Sequence, residues 1–323
     1  MSLRSKIYYH LYKIRPLRDF YKKIFWRNKV FVGFYPTFLC NYECPYCVLI
    51  KLDYLKKFKV HGGKEWADAF NKLPPLMICV AGGEPFIWNG LPDFLKYIDK
   101  KHYFTIFTNL SWEPEKHLDI FKPCKANFAI NCSFHPHTTD LKTFISKVKK
   151  LQDAGLKVSA NIMTYPDLLN KIKKYKQIFE KENIPLEVQA YIDPNYTYTS
   201  EENEKVKKLV SNPLMSEREI SGFDSSATLK ECSAGITNLF IVPNGDIYKC
   251  VAGFYYVTSP LHKKFRAKKE EFYMGNVFDG TFKLENKKTL CRYPCSEACD
   301  ITFAKPRIIK ELHKSEKVKS PSK

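Results

Sequence analysis

Cys40-Asn41-Tyr42-Glu43-Cys44-Pro45-Tyr46-Cys47 places three cysteines within eight residues. A β-branched and aromatic run, Val30 to Tyr35, leads directly into it, so the cysteines fall on a loop beyond a strand end. Thiolate is the usual protein ligand of iron–sulfur clusters, and three on one short loop can hold three corners of a four-iron, four-sulfur cluster. The fourth iron would then have no protein ligand. An open position on a metal centre is where chemistry can occur, whereas a fully ligated centre is confined to structural or electron-carrying work. Structural zinc, the competing occupant, wants a fourth ligand and prefers cysteine pairs two apart.

Working outward, the next apolar strand, Leu76–Ala81, ends in Gly82-Gly83-Glu84-Pro85: two glycines that let backbone approach a ligand closely, then an acid. Further strand patterns follow at Tyr103–Phe107, Asn127–Ser133, Leu156–Met163 and Leu186–Tyr191. Helical patterns separate them at Lys64–Lys72, Leu91–Lys101, Pro114–Phe121, Thr138–Ala154 and Asp167–Glu182. Six strands alternating with helices predict an α/β fold with right-handed crossovers. Six units are too few for a closed eight-fold barrel, so the expectation is a partial (βα)6 barrel of parallel strands. Reactive groups in such sheets gather beyond the carboxyl ends of the strands, which is where the cysteine loop lies.

Together, the three-cysteine loop with Tyr46 before its last cysteine and the Gly82–Pro85 turn after the second strand resemble the radical S-adenosylmethionine (SAM) superfamily. The resemblance implies that Cys40, Cys44 and Cys47 ligate a four-iron, four-sulfur cluster whose open iron takes the amino and carboxylate groups of SAM. It implies that Tyr46 lies near the adenine, and that Gly82, Gly83, Glu84 and Pro85 form the turn that meets the methionyl amine. Asn109, Ser133 and Asn161, at three later strand ends, are the further candidates for holding SAM, through its carboxylate and ribose. His135 is read as a substrate contact or a loop cap, and Gln189 as a pocket-lining residue. Cys79, Cys124 and Cys132 read as small apolar fillers.

The C-terminal part changes character. Residues 196–231 are polar and read as a connector with one helix, Glu201–Val210. Thr237–Val242, then Pro243-Asn244-Gly245-Asp246, then Ile247–Cys250, predict a β-hairpin. Cys232 and Cys250 flank it, and Cys291, Cys295 and Cys299 follow. This set resembles the auxiliary-cluster domains called SPASM and twitch. Five cysteines permit one auxiliary four-iron cluster, not two, with Cys232 and Cys250 as the firmer ligands and the remainder drawn from Cys291, Cys295 and Cys299. The expected organisation is thus a basic amphipathic segment (1–29), a radical SAM core (30–195), the connector (196–231), an auxiliary domain containing the hairpin (232–304) and a basic tail (305–323).

The chain has 323 residues, 44% of them hydrophobic, enough for a large core, and carries a formal charge of +19. That excess favours an anionic partner, such as a phosphorylated metabolite or an anionic membrane surface, although charge alone selects none. Eleven cysteines, several of them at metal-ligand spacings, without a signal-like apolar stretch, fit a reducing, cytoplasmic setting; the basic amphipathic segment 1–29 reads as a helix packed on the main domain, with peripheral membrane contact as the alternative. The resulting expectation is an oxidoreductase-like enzyme acting on a small sugar-like, phosphorylated or lipid-linked molecule. Its electrons would come from a reductant such as flavodoxin or ferredoxin. A peptide- or protein-modifying maturase is the alternative, and a non-catalytic iron–sulfur or zinc protein binding nucleic acid is the disfavoured reading.

Overall fold

The first strand, β1 (Val30–Thr37), buries Val30, Val32 and Phe34 on one face and leaves the alternate residues half-buried on the other. The computed structural model describes residues 30–191, 196, 198–210, 230–261 and 266–293. The segment 1–29, the tail 305–323, Cys295 and Cys299 lie outside the described residues. Beside β1, in order, stand β2 (Leu76–Gly82), β3 (Tyr103–Thr108), β4 (Asn127–Ser133), β5 (Val158–Met163) and β6 (Leu186–Gln189), all parallel. The crossovers carry α1 (Gly63–Asn71), α2 (Leu91–Tyr97), α3 (Pro114–His117), α4 (Leu141–Asp153) and α5 (Leu169–Lys181). The expected mostly parallel α/β sheet is present.

Strand alternation assigns the two faces. Phe34, Ile78, Phe104, Ile130, Ala160 and Val188 join Trp66, Phe94, Phe144 and Phe179 of the helices in the main apolar core. Residues of the other parity, among them Tyr35, Cys79, Asn131, Ser133, Asn161, Glu187 and Gln189, therefore line the concave inner face. Most of that inner face is polar or only half-buried. It is a polar face and not a second apolar core.

The helices start where side chains can serve their unpaired N–H groups. Asp140 Oδ1 accepts from the Thr143 N–H at 2.9 Å ahead of α4. Thr199 and Glu202 exchange reciprocal bonds at the head of α6 (Ser200–Leu209). Among the described residues no helix is long and apolar enough to cross a membrane.

The remaining elements are β7 (Lys230–Cys232), β8 (Asn238–Ile241), β9 (Asp246–Tyr248), α7 (Val251–Thr258), α8 (Lys269–Phe272), β10 (Tyr273–Asn276) and β11 (Thr289–Cys291). The hairpin β8–β9 forms as expected, with one difference in its turn. Gly245 alone has positive φ, at 89°, and its N–H donates to Val242 O at 2.9 Å. Asn244 keeps an ordinary φ, so the connection is a bulged turn and not the two-residue mirror-image type.

The larger difference is where the hairpin goes. β8 pairs parallel with β1, so the sheet runs β10-β9-β8-β1-β2-β3-β4-β5-β6. Leu239, Ile241, Ile247 and Met274 are buried in the main core. The physical reason is that β1 would otherwise be an exposed edge with a row of unpaired backbone groups. β7 and β11 form a separate antiparallel pair.

Candidate active site

β1 does not end regularly. Phe34 is in register with Val80 but Thr37 with Gly82, so one extra residue bulges out next to Pro36, which has no N–H to pair. The bulge swings the chain across the end of β2, and the cysteine loop begins there. Thr37 O accepts from the Gly83 N–H at 2.9 Å, and Leu39 O accepts from the Glu84 N–H at 2.8 Å. Both glycines are sterically required. Gly82 has φ of 111°, and a Cβ on Gly83 would stand 1.8 Å from Leu39 O. The Gly82–Pro85 turn is thus the cradle of the cysteine loop.

Glu84 turns its carboxylate inward and is 1% exposed. Asn109 N–H donates to Oε2 at 2.7 Å, and the Thr108 hydroxyl and Phe86 N–H donate to Oε1 at 2.8 and 3.1 Å. The Asn109 side chain carries the connection onward, with Nδ2 3.0 Å from Asn41 Oδ1 and 3.7 Å from Cys40 Sγ. Asn41 in turn donates to Ser111 Oγ at 2.9 Å. The ends of β2 and β3 are thereby tied to the first cysteine. Pro85 is buried and opens the short turn Pro85–Ile87 that Glu84 caps.

Burial pushes the Glu84 carboxyl up to about 7, against the three donors, which favour the ionised form. Because its folded-state pKa lies above the unfolded value near 4.5, the folded chain holds the extra proton between those limits. The stabilisation from neutral Glu84 is complete below about pH 4.5 and is lost as pH rises through 7, a change of about 3 kcal/mol. Urea unfolding across pH 4.5–7.5 should show this loss in the native chain and not in Glu84→Gln. Parallel pH profiles for the two proteins would contradict it.

The three thiols influence one another. Burial raises Cys44 to about 11, followed by the charge of Cys47 and, further down, that of Cys40. Cys40 is raised chiefly by burial as well, while the Tyr42 N–H, 3.4 Å from Cys40 Sγ, favours its thiolate. Backbone N–H groups of Leu49 and Ile50 do the same for Cys47. Mutual repulsion with N–H donors aimed at sulfur is the donor set of a thiolate-bound cationic centre. Among the described residues, no three His, Cys, Asp or Glu side chains converge on the point a single ion would occupy.

After Cys47 the chain makes two short 3-10 turns, Val48–Lys51 and Asp53–Lys57. Leu49, Leu52 and Leu55 pack with Phe38, Phe240, Tyr248 and Phe254 in a second apolar cluster, and the Tyr54 hydroxyl donates to Thr258 Oγ1 at 2.9 Å. The C-terminal elements therefore clamp the far side of the cysteine loop. Cys250 is buried in this cluster, while Cys47 and Cys232 border it. Cys250 caps α7, its Sγ accepting from the Gly253 N–H at 3.2 Å. Cys232 lies opposite Thr289 on the β7–β11 pair, which puts Cys232 and Cys291 on one face of it.

Tyr46 is buried against His135, His137 and Tyr165. Its hydroxyl is 2.7 Å from His135 Nδ1. Burial pushes the tyrosine far up and the histidine down to about 4, the nearby His137 adding to the latter. Both are neutral near pH 7, and the hydrogen bond between them ties the Tyr46 ring to the end of β4. On β4 and β5, Asn161 Nδ2 donates to Ser133 Oγ at 2.9 Å and also to Asn131 Oδ1. Asn131 Nδ2 then donates to Ser159 Oγ at 3.2 Å.

Cys40, Cys44, Cys47, Tyr46, Gly82, Gly83, Glu84, Pro85, Asn109, Ser133 and Asn161 thus share one edge of the sheet, beyond or at the carboxyl ends of β1 to β5. Cys132 is the buried filler expected, but Cys79 faces the inner side of the sheet, its thiol raised to about 12 by burial and then by the negative charge of Glu187 across the inner face. Asn41 and Ser111, which with Thr108 complete the Glu84–Cys40 link, are not singled out by sequence. Polar residues just after a strand end were their only signal.

No family model matches the chain. A protein of Methanocaldococcus jannaschii, named as a candidate glycyl-radical enzyme activating enzyme, is 24% identical over 199 residues, 55% of this chain and 74% of the relative. Among solved structures, Streptococcus suis SuiB bound to its precursor peptide SuiA superposes with a TM-score of 0.57 at 16% identity, covering 83% of this chain and 68% of SuiB. The structure of anSMEcpe with AdoMet and the Cp18Cys peptide gives 0.53 at 15% identity, covering 88% of this chain and 95% of that one.

Proposed function

We propose that this chain, which has the fold of radical SAM proteins, is an enzyme in which Cys40, Cys44 and Cys47 hold a four-iron, four-sulfur cluster at which SAM is reductively cleaved. The observation that carries the reading is the coupling of two sequence signals in space: the Gly82–Pro85 turn hydrogen-bonds directly to the start of the cysteine loop. When bound, the cluster and SAM would supply carbon–sulfur cleavage and a 5′-deoxyadenosyl radical able to abstract hydrogen from substrate.

The protein residues divide the remaining work. The inward carboxylate of Glu84 fixes Asn109 and hence the approach to Cys40, which leaves the backbone carbonyls of Gly82 and Gly83 as acceptors for the methionyl amine. Tyr46, held by His135, presents an aromatic face for adenine. Asn161 spends both amide hydrogens on Ser133 and Asn131, so its carbonyl suits a ribose hydroxyl. The Ser133 hydroxyl, a donor, suits the SAM carboxylate. Anaerobic reconstitution with iron and sulfide, then SAM and dithionite, should yield 5′-deoxyadenosine; its absence from cluster-loaded protein would refute the assignment.

We further propose one auxiliary four-iron cluster in 232–304, held by Cys232, Cys250, Cys291 and a further ligand from Cys295 or Cys299. Placement of Cys232 and Cys291 on one strand-pair face supports it. The chain with Cys40, Cys44 and Cys47 all replaced by alanine should retain about four irons. If it retains none, the auxiliary site is wrong. An electron from a substrate radical could pass to such a cluster, making the net reaction an oxidation, with flavodoxin or ferredoxin as the external reductant.

For the substrate, two readings stand. A small sugar-like, phosphorylated or lipid-linked molecule accords with the positive charge of the chain. A peptide or protein substrate accords with similarity to two structures that hold peptides, SuiB with SuiA and anSMEcpe with Cp18Cys. Stimulation of 5′-deoxyadenosine formation by candidate peptides, compared with phosphorylated sugars, decides between them.

A further inference from the structure

The turn that follows β3 is held against its own backbone preference. Among the described residues, two that are not glycine have positive φ: Asn183, just after α5, and Leu110, each at 55°. Asparagine enters this conformation readily, whereas a leucine does so only where its surroundings impose it. Leu110 is 2% exposed and packed in the main core, and it directly follows Asn109.

Three sets of contacts impose the turn. The Leu110 N–H donates to Thr108 Oγ1 at 3.0 Å, and the Ser111 N–H donates to Asn109 Oδ1 at 2.9 Å. The third set comes from α4. Lys147 Nζ donates to the carbonyls of Leu110 and Ser111 at 3.4 Å each and pairs with Glu113 at 2.9 Å. Lys147 is also unusually placed for a lysine: its side chain is 13% exposed, against 45% and 44% for Lys149 and Lys150, which are ion-paired on the same helix. A lysine gives up solvent where its ammonium finds acceptors, and here these are the Glu113 carboxylate and the two carbonyls of the strained turn.

What the turn positions is Asn109. Its N–H meets Glu84 Oε2 at 2.7 Å, while its Nδ2 reaches Asn41 Oδ1 at 3.0 Å and Cys40 Sγ at 3.7 Å. On the other side of Leu110, Ser111 Oγ accepts from Asn41 Nδ2 at 2.9 Å. A right-handed Leu110 would reorient the next peptide, swing Ser111 away from Asn41 and release the Asn109 amide. Hydrogen bonds to ligand sulfur help to set the reduction potential of an iron–sulfur cluster, because they withdraw charge from the thiolate and favour the reduced form.

We propose that Lys147 is a positioning residue for the loop's cluster: it holds the left-handed turn at Leu110 and, through Asn109, raises the cluster's reduction potential. The inference rests on the assignment of a cluster to Cys40, Cys44 and Cys47, and adds how a residue of α4 tunes it.

The test is a redox titration of full-length reconstituted protein, monitored by electron paramagnetic resonance of the signal that SAM perturbs. Lys147→Met, which keeps the apolar stem and removes the charge, should lower the ratio of reduced to oxidised cluster about three- to tenfold at a fixed potential, tenfold being about 59 mV for one electron. Asn109→Ala should shift the ratio in the same direction and at least as far, and adding Lys147→Met to it should change nothing further. Lys147→Arg keeps the charge and the donors and should retain most of the native potential. Glu113→Gln removes the ion pair but leaves the carbonyls, so its effect should stay below about twofold. Should Lys147→Met fail to fold, Lys147→Gln takes its place with the same expectation. A native potential in the charge-removing variant would overturn the proposal and leave Lys147 a stabilising contact only. Shifts of Lys147→Met and Asn109→Ala that add in the double variant would overturn it too, since the influence of Lys147 would then bypass Asn109. Either result with a SAM-responsive cluster in the native protein removes this inference alone, whereas a native protein without such a cluster removes the cluster assignment and this inference with it.

Discussion

Cys44→Ala is expected to reduce 5′-deoxyadenosine formation to background, with loss of the visible absorption of the loop's cluster. Cys44 is the residue to choose because it is buried, at 6% exposure, and feels the charges of both Cys47 and Cys40. A cluster held at only two corners leaves a second iron without a thiolate, and the loop has no other sulfur to offer. The control is Cys132→Ala. Cys132 is fully buried in the main core on the opposite face of β4. Its replacement should cost about 1 kcal/mol of stability and leave deoxyadenosine formation in place. Equal losses in both variants would mean that the effect of Cys44 is on folding and not on a cluster.

Gly83→Ala should be nearly as damaging by a different route. Its Cβ would meet Leu39 O at 1.8 Å, Leu39 C at 2.4 Å and Phe38 C at 2.8 Å. All three are backbone atoms, so no side-chain rotation relieves the clash. The cysteine loop must lift off the β2 end, breaking the two bonds from the Gly83 and Glu84 N–H groups. A cost of about 3 kcal/mol or more is expected in urea unfolding, together with a fall in reconstituted iron. Gly62→Ala is the matched control. Its nearest neighbour is a flexible Glu65 side-chain oxygen at 3.3 Å, so its effect should stay within about 0.5 kcal/mol. If Gly83→Ala is equally mild, the turn is not the cradle described here.

Much of the site was readable before the fold because its residues are close in sequence to strand ends. The six parallel strands gave strong apolar runs, and the cysteine loop and Gly82–Pro85 turn followed two of them directly. What was not readable depended on long-range pairing. Nothing local in Asn238–Ile241 says that it will lie parallel to β1, because that choice is made by β1's need for an edge partner. The helix α7 was missed since Val251–Thr258 is apolar or aromatic almost throughout and reads as a continuing strand. Leu49, Leu52 and Leu55 do repeat every three residues, the period of a 3-10 turn, and that signal was present but unused.

The central claim is that the loop's cluster keeps one iron open for SAM. The direct measurement is electron paramagnetic resonance of the reduced, reconstituted protein with SAM labelled by 15N at the methionyl amine and 17O at its carboxylate. The account predicts that SAM alters the cluster signal and that both labels show hyperfine coupling to it, with neither effect in the Cys44→Ala variant. A cluster signal that SAM leaves unchanged, with no coupling from either label, would contradict it.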